Sequence, residues 1–443
     1  MQCSRLETHD EVLRSASPLD APLLLLQICS RWRHVALATP RLWGELQIDL
    51  GPGPTEPYPR IQLLKYWLAN ANPHPISLAA NATPLLHSSR QRICPNMANF
   101  VRTARRFRKL HLQVNPAALC ALSRERARID VEDLRIDLRH HLPYYFDSLP
   151  LQFHGSYRAF QDSELLRSFT MLSSAPARRS VLLKFILPWA QLTHLRIDER
   201  NLPLSAMGVF ADCTNLVECT LGRLIDSDDD CLPHLTDAHF SFEPDADPFI
   251  TDEFLKCLTL PSLKRLIIQS HDVDSNWAAS AFTSFRLRSS FTLETLELHA
   301  KGKSMQTDEF IELLECVPSL KNLTAMIPGL NPAVVFRALT CADPRFTLLP
   351  VLERLSFGLV NSERSASLEP LIAMVRSRHK QERAEVPAAL SRLVYLHLVS
   401  YERTPAIDRW WWELKLPKVF PELELRFEVC LPDVPCTSMA SHS

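Results

Sequence analysis

Residues 251–268, TDEFLKCLTLPSLKRLII, are matched later in the chain by residues 307–325, TDEFIELLECVPSLKNLTA. In each stretch a threonine, Thr251 or Thr307, can cap a helix, and the Asp and Glu that follow suit the positively polarised first turn of that helix. The proline of the downstream Pro-Ser-Leu-Lys marks the exit from the helix, and an apolar strand pattern comes next. Both stretches therefore predict a helix followed by a strand, in units of about 28 residues.

The strand half of this unit follows one pattern: an apolar residue, two variable positions, a second apolar residue, one variable position and a third. The copies are Phe107/Leu110/Leu112, Val131/Leu134/Ile136, Leu192/Leu195/Ile197, Leu216/Cys219/Leu221, Leu235/Ala238/Phe240, Leu263/Leu266/Ile268, Leu293/Leu296/Leu298, Leu352/Leu355/Phe357 and Leu393/Leu396/Leu398, with Leu320/Leu323/Ala325 as a weaker one. Their spacing scatters around the roughly 20–29 residues of leucine-rich repeats. The longer steps predict insertions, and the gap between Ile136 and Leu192 holds no clear copy.

A single unit of this kind cannot bury its own apolar face, so neighbouring units must stack to exclude water. We therefore predict an α/β fold, a leucine-rich-repeat solenoid with a parallel strand row and helices on its convex side. The Asn or Cys that normally follows the strand pattern is missing, as in Leu298-His-Ala-Lys. This departure predicts an irregular solenoid.

The N-terminal part of the chain has a different pattern. Apolar residues at helical spacing predict one amphipathic helix that ends before Pro40, and they are Leu25, Ile28, Cys29, Trp32, Val35 and Ala36. Leu46, Ile48 and Leu50 then alternate as in a half-buried strand. After the break at Gly51-Pro52-Gly53-Pro54, residues 60–68 predict a helix and residues 76–78 a short strand.

These patterns divide the chain into four parts. Residues 1–50 form a small helical module, residues 51–100 a Pro-rich linker and solenoid entry, residues 101–430 the repeat solenoid and residues 431–443 a flexible tail. The division places the helical module and the repeats in separate domains joined by the one dense Gly/Pro stretch of the sequence.

Residues 19–43, LDAPLLLLQICSRWRHVALATPRLW, resemble the second half of an F-box. F-box modules carry a Val/Ile-Cys-Arg/Lys-x-Trp-Arg core, an Ala three residues on and a closing Pro-x-Leu-Trp. The matching positions here are Ile28-Cys29-Ser30-Arg31-Trp32-Arg33, Ala36 and Pro40-Arg41-Leu42-Trp43. F-boxes are often combined with leucine-rich repeats, and large sets of such proteins occur in mushroom-forming fungi. The Leu-Pro-x-Glu helix that opens the family's module has no counterpart in residues 1–18.

The resemblance implies a substrate-recognition subunit of a cullin-RING ubiquitin ligase. In that family the module binds the ligase adaptor and the repeats capture the target protein. By the same likeness, the residues that hold the module or contact the adaptor are Leu25, Ile28, Trp32, Pro40 and Trp43. The alternative is a repeat scaffold for protein interactions that keeps a degenerate F-box remnant and binds no ligase. A core role for the same five residues stays open.

Composition narrows the function classes further. Lys and Arg number 49 against 50 Asp and Glu, so no overall positive field favours nucleic acid or an anionic membrane. The sequence has only 9 glycines, which disfavours Gly-rich phosphate loops, and it has no HExxH, GxSxG or paired CxxC motif. We expect no catalytic residue, metal ligand or cofactor, and hence no enzyme.

The cysteines and the apolar runs indicate in which cell compartment the protein is expected. The 12 cysteines are scattered along the chain and are expected to be reduced thiols, with Cys213 and Cys219 in the core. The longest leucine run, Leu23–Leu26, is far shorter than the ~20 apolar residues of a membrane span. We expect a cytoplasmic or nuclear protein with no membrane partner.

Three adjacent indoles, Trp410, Trp411 and Trp412, cannot all point inward on either a helix or a strand. At least one is expected to be partly exposed. A partner contact is one interpretation, because tryptophan is enriched at interface hot spots. The alternative is that two of them cap the end of the solenoid core and the residues that follow half-cover the third.

Overall fold

The structure is a computed structural model of the 443-residue chain. It describes residues 21–49, 58–81, 106–114, 119, 122–123, 129–138, 156–173, 182–203, 209, 212–225, 230–231, 235–242, 255, 258–270, 279–300, 305–341, 347–359, 369–379, 391–400, 420 and 422–429. The chain divides into two compact units, one of residues 9–222 and one of residues 223–443 with residues 1–8.

The elements of the described residues alternate between strands and helices over much of the chain. The helices are α1 (Leu25–Ile28), α2 (Ser30–Leu37), α3 (Tyr58–Ala71), α4 (Ala279–Ser289), α5 (Thr307–Glu315), α6 (Pro332–Ala338) and α7 (Glu369–His379). The strands are β1 (Glu45–Asp49), β2 (Ile76–Asn81), β3 (Arg106–Gln113), β4 (Asp130–Asp137), β5 (Ser168–Ser173), β6 (His194–Pro203), β7 (Glu218–Ile225), β8 (Asp230–Cys231), β9 (Asp237–Phe242), β10 (Leu258–Thr259), β11 (Arg265–Ser270), β12 (Thr295–Ala300), β13 (Asn322–Met326), β14 (Arg354–Leu359), β15 (Tyr395–Ser400) and β16 (Glu424–Val429).

In the unit of residues 9–222, strands β1 to β6 are parallel and each is hydrogen-bonded to the next one along the chain. The row therefore begins at β1, inside residues 1–50, and includes β2 within residues 51–100. The helix α3 lies between β1 and β2 in sequence and confirms the helix predicted at 60–68, with longer bounds.

In the unit of residues 223–443, strand β9 pairs with β11, and β11 to β16 then pair in chain order, again all parallel. The helices α4 to α7 fall between successive strands in sequence, and each of them packs against the next. This is the expected repeat of strand and helix, because a right-handed crossover returns the chain to the neighbouring parallel position. Each unit is a stretch of irregular α/β solenoid of leucine-rich-repeat type, as predicted.

The predicted apolar triplets form the core. Every residue of the ten triplets, including the weak copy at Leu320, is buried. A recurring backbone contact shows that many of the repeats are equivalent: at the start of β6, β7 and β11 to β15, two consecutive amides donate to one carbonyl of the preceding repeat. Examples are Lys264 and Arg265 to Thr236 O, and Lys321 and Asn322 to Glu294 O.

Two local predictions need correction. The single N-terminal helix is two helices, because Cys29 adopts an extended conformation between α1 and α2. Thr307 does not cap α5. The cap is Gln306, whose backbone amide donates to the Glu309 carboxylate at 2.9 Å, while the Thr307 hydroxyl accepts from the amide of Asn331 at 2.9 Å. The equivalent Thr251 lies outside the described residues.

Candidate partner-binding surfaces

Trp43 is a core residue of the unit of residues 9–222. Its indole Nε1 donates to the carbonyl of Ala36 at 2.8 Å, and its own carbonyl accepts from Nε1 of Trp67 at 2.8 Å. The Trp43 and Trp67 rings meet edge to face, with centroids 5.1 Å apart. These contacts join α2 to α3, so Trp43 has the core role that the sequence left open for it.

In contrast to Trp43, several apolar side chains on α1 and α2 are exposed. Trp32 is 48% exposed, Ile28 55% and Val35 41%, and α2 buries only Ala36. Trp32 and Val35 are three residues apart and share one side of α2. We call the exposed side chains of Leu24, Ile28, Trp32, Val35 and Leu37 the N-terminal apolar surface. Leu25 and Pro40 are half-buried, so their exposure is intermediate between that of Trp43 and that of this surface.

Within residues 21–43, which form α1, α2 and the turn after them, the charged side chains have one sign. Residues 21–43 contain Arg31, Arg33 and Arg41 and no Asp or Glu, and all three arginines are exposed. The Nε of Arg33 donates to the carbonyl of Leu26 at 2.9 Å, which ties α2 back to α1. An apolar surface with a basic rim is complementary to a partner that is apolar at its centre and acidic at its edge.

The unit of residues 223–443 offers a polar surface of another kind, the outward face of strands β11 to β16. Side chains at alternate positions leave the core and form rows across the strands, since parallel pairing keeps equivalent positions in register. One row contains Arg265, Thr295, Asn322, Arg354, Tyr395 and Glu424. Rows of polar side chains on stacked repeats are the extended binding surfaces of solenoid proteins.

Glu297, half-buried on β12, shows how charges on this strand face are balanced. One carboxylate oxygen lies 2.9 Å from Arg265 Nη2 and the other 3.8 Å from His299 Nε2. Burial by itself would raise the pKa of Glu297, but hydrogen bonds from His299 and Arg265 outweigh it and lower the pKa. The carboxylate is therefore charged and is held by two neighbouring cationic or hydrogen-bonding groups.

His397, on β15, lies at the other end of the same face. Its Nε2 is 3.5 Å from the carboxylate of Glu428 on β16. Burial lowers the pKa of His397 and outweighs the opposing effect of Glu428. This imidazole is therefore neutral at neutral pH, and it carries a hydrogen-bonding capacity rather than a charge.

Cys213 and Cys219 are buried, which confirms the core position predicted for both. Burial raises the pKa of Cys213 to about 12 and that of Cys219 well above its ordinary value. Thiols in this state are poor nucleophiles and poor metal ligands, because both roles need the thiolate. Among the described residues, no group of three His, Cys, Asp or Glu is placed to hold a metal ion.

The described helices are too short or too polar to cross a bilayer. Trp410, Trp411 and Trp412 lie outside the described residues, so the contact predicted for them stays a prediction. Sequence reasoning did not find the Arg354–Tyr395 row. The signal was present, since both residues immediately precede the middle apolar residue of their triplets, Leu355 and Leu396.

No family model matches this chain, and no curated protein matches it. Among solved structures the chain is similar to the crystal structure of a TLR13–ssRNA13 complex, with 14% sequence identity and a TM-score of 0.27. The match covers 74% of this chain and 56% of that chain, so this chain spans little more than half the length of its neighbour. The fold described above rests on strand order and register, not on this similarity.

Proposed function

We propose that this chain is a non-enzymatic substrate receptor of a cullin-RING ubiquitin ligase. The N-terminal apolar surface binds the ligase adaptor, and the strand face of the repeats binds the protein to be modified. Such a receptor positions two proteins and needs no catalytic group, cofactor or metal, and it acts in the cytoplasm or nucleus without nucleic acid or membrane.

The observation that carries the proposal is the contrast between Trp32 and Trp43. Both tryptophans belong to the F-box-like motif, but Trp43 is buried and bonded whereas Trp32 is 48% exposed beside Val35. A group of exposed apolar side chains rimmed by polar residues is typical of a protein interaction site. Tryptophan is also the residue most enriched at interface hot spots.

The charge of residues 21–43 supports a partner with an acidic rim. Arg31, Arg33 and Arg41 are exposed and face no carboxylate from residues 21–43. Such a rim steers association and makes it sensitive to salt, whereas the central apolar contact is not screened. Adaptor binding is therefore expected to weaken as the salt concentration rises, and to persist in part at high salt.

The experiment is a quantitative capture of the purified adaptor by three forms of the full chain: wild type, Trp32→Ala and Leu287→Ala. Leu287, on α4, is 68% exposed and is the matched control, because it is an apolar surface residue of the other unit. We expect Trp32→Ala to weaken capture by about 30-fold, the size of a central hot spot, and Leu287→Ala to leave it unchanged.

Circular dichroism and thermal unfolding establish that each variant is folded. Equal capture by wild type and Trp32→Ala, or no capture by folded wild type, overturns the ligase assignment. The alternative that then stands is the repeat scaffold with a degenerate F-box remnant, whose partners bind the strand face alone.

A further inference from the structure

Three strands of the unit of residues 223–443 bring two arginines to one tyrosine. Arg354 on β14, Tyr395 on β15 and Glu424 on β16 are in register across the strands. The guanidinium carbon of Arg354 lies 4.4 Å from the centroid of the Tyr395 ring, and that of Arg426 lies 5.9 Å from the same centroid. We call these three residues, Arg354, Tyr395 and Arg426, the arginine–tyrosine cluster.

Arg354 differs from the neighbouring cations of this face in its partner. Arg265 pairs with Glu297 at 2.9 Å, Lys321 with Glu294 at 2.8 Å and Arg426 with Glu424 at 3.4 Å. Arg354 forms no ion pair with any described carboxylate, and its contact is the Tyr395 ring. Its guanidinium N–H groups are therefore not engaged by a described carboxylate.

The stacking also fixes how Arg354 presents that charge. A guanidinium that lies over an aromatic ring has one flat face covered, and its in-plane N–H groups stay available for a carboxylate fork. Burial raises the pKa of Tyr395, so the phenol is un-ionised and does not neutralise the guanidinium. Arg354 itself is solvent-exposed.

We propose that Arg354, held over Tyr395, binds a carboxylate side chain of a partner protein segment that lies across strands β14 to β16. A fork of two N–H···O bonds to a carboxylate is the geometry that an arginine in this position offers. The inference uses the proposed function only in taking the strand face as the target-binding surface, and it is independent of adaptor binding through α2.

The surrounding charges select a protein over a polyanion. Glu424 and Glu428 on β16 and Glu297 on β12 share this strand face with Arg354, and they would repel a chain of closely spaced phosphates. A single Asp or Glu flanked by neutral or basic residues carries less negative charge and is repelled less. The expected partner segment therefore carries an isolated acid, with Lys or Arg placed next to it.

The test uses an array of synthetic nine-residue peptides in which a central Asp or Glu, flanked by Lys and neutral residues, is compared with Asn or Gln at the same position. The full chain is applied as wild type, Arg354→Gln, Arg354→Lys and Lys264→Gln. Lys264, an exposed cation that precedes β11, is the matched control because its loss removes the same charge. Thermal unfolding establishes that each variant is folded.

We expect wild type and Lys264→Gln to bind the acidic peptides about tenfold better than their amide counterparts, a size typical of a charge-assisted bond. Arg354→Gln should abolish this preference, and Arg354→Lys, which keeps the charge without the fork, should retain only part of it. An equal preference in wild type and Arg354→Gln overturns the proposal, as does the absence of any preference in wild type.

A parallel arm measures binding of single-stranded RNA to the same proteins. RNA binding that exceeds peptide binding and is lost in Arg354→Gln overturns the protein-segment proposal in favour of a phosphate site. Adaptor capture is measured on Arg354→Gln as well and should equal that of wild type. Failed adaptor capture beside an Arg354-dependent acid preference refutes the ligase function and leaves this inference standing.

Discussion

Helices α2 and α5 are both short and amphipathic, yet they bury very different amounts of apolar surface. Helix α5 buries Phe310, Leu313 and Leu314, whereas α2 buries only Ala36 and exposes Trp32. Helix α5 packs against helices of the adjoining repeats, α4 and α6. Among the described residues, α5 is thus covered by neighbouring helices, whereas several apolar residues of α1 and α2 are exposed.

The largest effect expected from this comparison is on stability. Phe310→Ala should lower the free energy of unfolding by about 3–5 kcal/mol, because it removes a fully buried ring and leaves a cavity in the repeat core. Trp32→Ala should change it by less than about 0.5 kcal/mol, since the indole is half exposed and has few contacts to lose. Urea unfolding followed by circular dichroism measures both.

If Trp32→Ala were as destabilising as Phe310→Ala, the N-terminal apolar surface would be part of the fold and not a docking surface. Leu287→Ala, at an exposed site on α4, sets the scale for a substitution that removes no buried surface. The variants are compared at constant m-value, so that a change in the transition midpoint reports stability.

The second effect concerns a buried arginine that donates hydrogen bonds to backbone carbonyls in the repeat region. Arg378 on α7 is fully buried and donates to the carbonyls of Leu339, Leu348 and Leu349 at 2.9, 2.7 and 3.0 Å. Leu349 has a φ of 50°, a left-handed conformation that is unfavourable for leucine and needs support from its surroundings. Burial lowers the pKa of Arg378, but the carbonyls stabilise its charge.

Arg378→Met should therefore cost about 2–3 kcal/mol, because it removes the side-chain donor from three carbonyls, of which that of Leu349 keeps the amide of Leu352 as a donor. Arg378→Lys should recover only part of the loss, since one ammonium cannot reproduce a planar fork to three carbonyls. Urea unfolding of the full chain measures both variants. A fully stable Arg378→Lys would show that charge, and not the fork, is what the site requires.

The third effect is on the stability of the N-terminal module, where a buried side chain again donates to a backbone carbonyl. Trp43 donates to the carbonyl of Ala36 near the end of α2 and packs against Trp67 of α3. Trp43→Phe keeps most of the ring but loses the donor, so we expect a loss of about 1–2 kcal/mol. The same substitution should weaken adaptor capture only to the extent that it unfolds the module. We would therefore measure capture at a temperature well below the unfolding transition, where wild type and Trp43→Phe should bind the adaptor equally.

The strand row could be predicted because each repeat carries the apolar pattern within its own short stretch of sequence. Strand β5 was missed although Leu166, Phe169 and Met171 fit the same pattern with Phe and Met in place of Leu. A further regularity was also present: an apolar residue three positions before the first leucine of a triplet closes a turn, as in Leu260 before Leu263 and Val317 before Leu320. Including it would have located more of the repeats.

The surfaces could not be predicted in the same way. Periodicity showed that α2 has apolar residues at helical spacing, but whether they are buried depends on what else the chain places against them. The extended conformation of Cys29 was likewise not encoded in the spacing. Arg354 and Tyr395 are far apart in sequence and meet only because β14 and β15 pair in register, a relation that no local pattern contains.

The smallest expected effect is a pH dependence of stability that arises from His397 on the strand face. Burial lowers the pKa of His397 from its ordinary value of 6.5, so on acidification the unfolded chain takes up a proton before the folded chain does. The unfolded state then holds more protons, and stability falls as pH drops through and below about 6.5. Above that value both states are neutral at this residue, and its contribution is constant.

His397→Asn removes the titration and keeps a hydrogen-bonding group near Glu428. Unfolding measured in urea at about pH 7.5 and about pH 5.5 should show a larger loss of stability on acidification in wild type than in this variant. Ser356→Ala, at the in-register position on β14, is the non-titrating control and should follow wild type. A steeper acid loss in His397→Asn would mean that Glu428 outweighs burial and that the folded chain prefers the protonated imidazole. The strand face would then gain a positive charge on acidification within the row that neighbours Arg354, and its preference for acidic segments would increase at low pH.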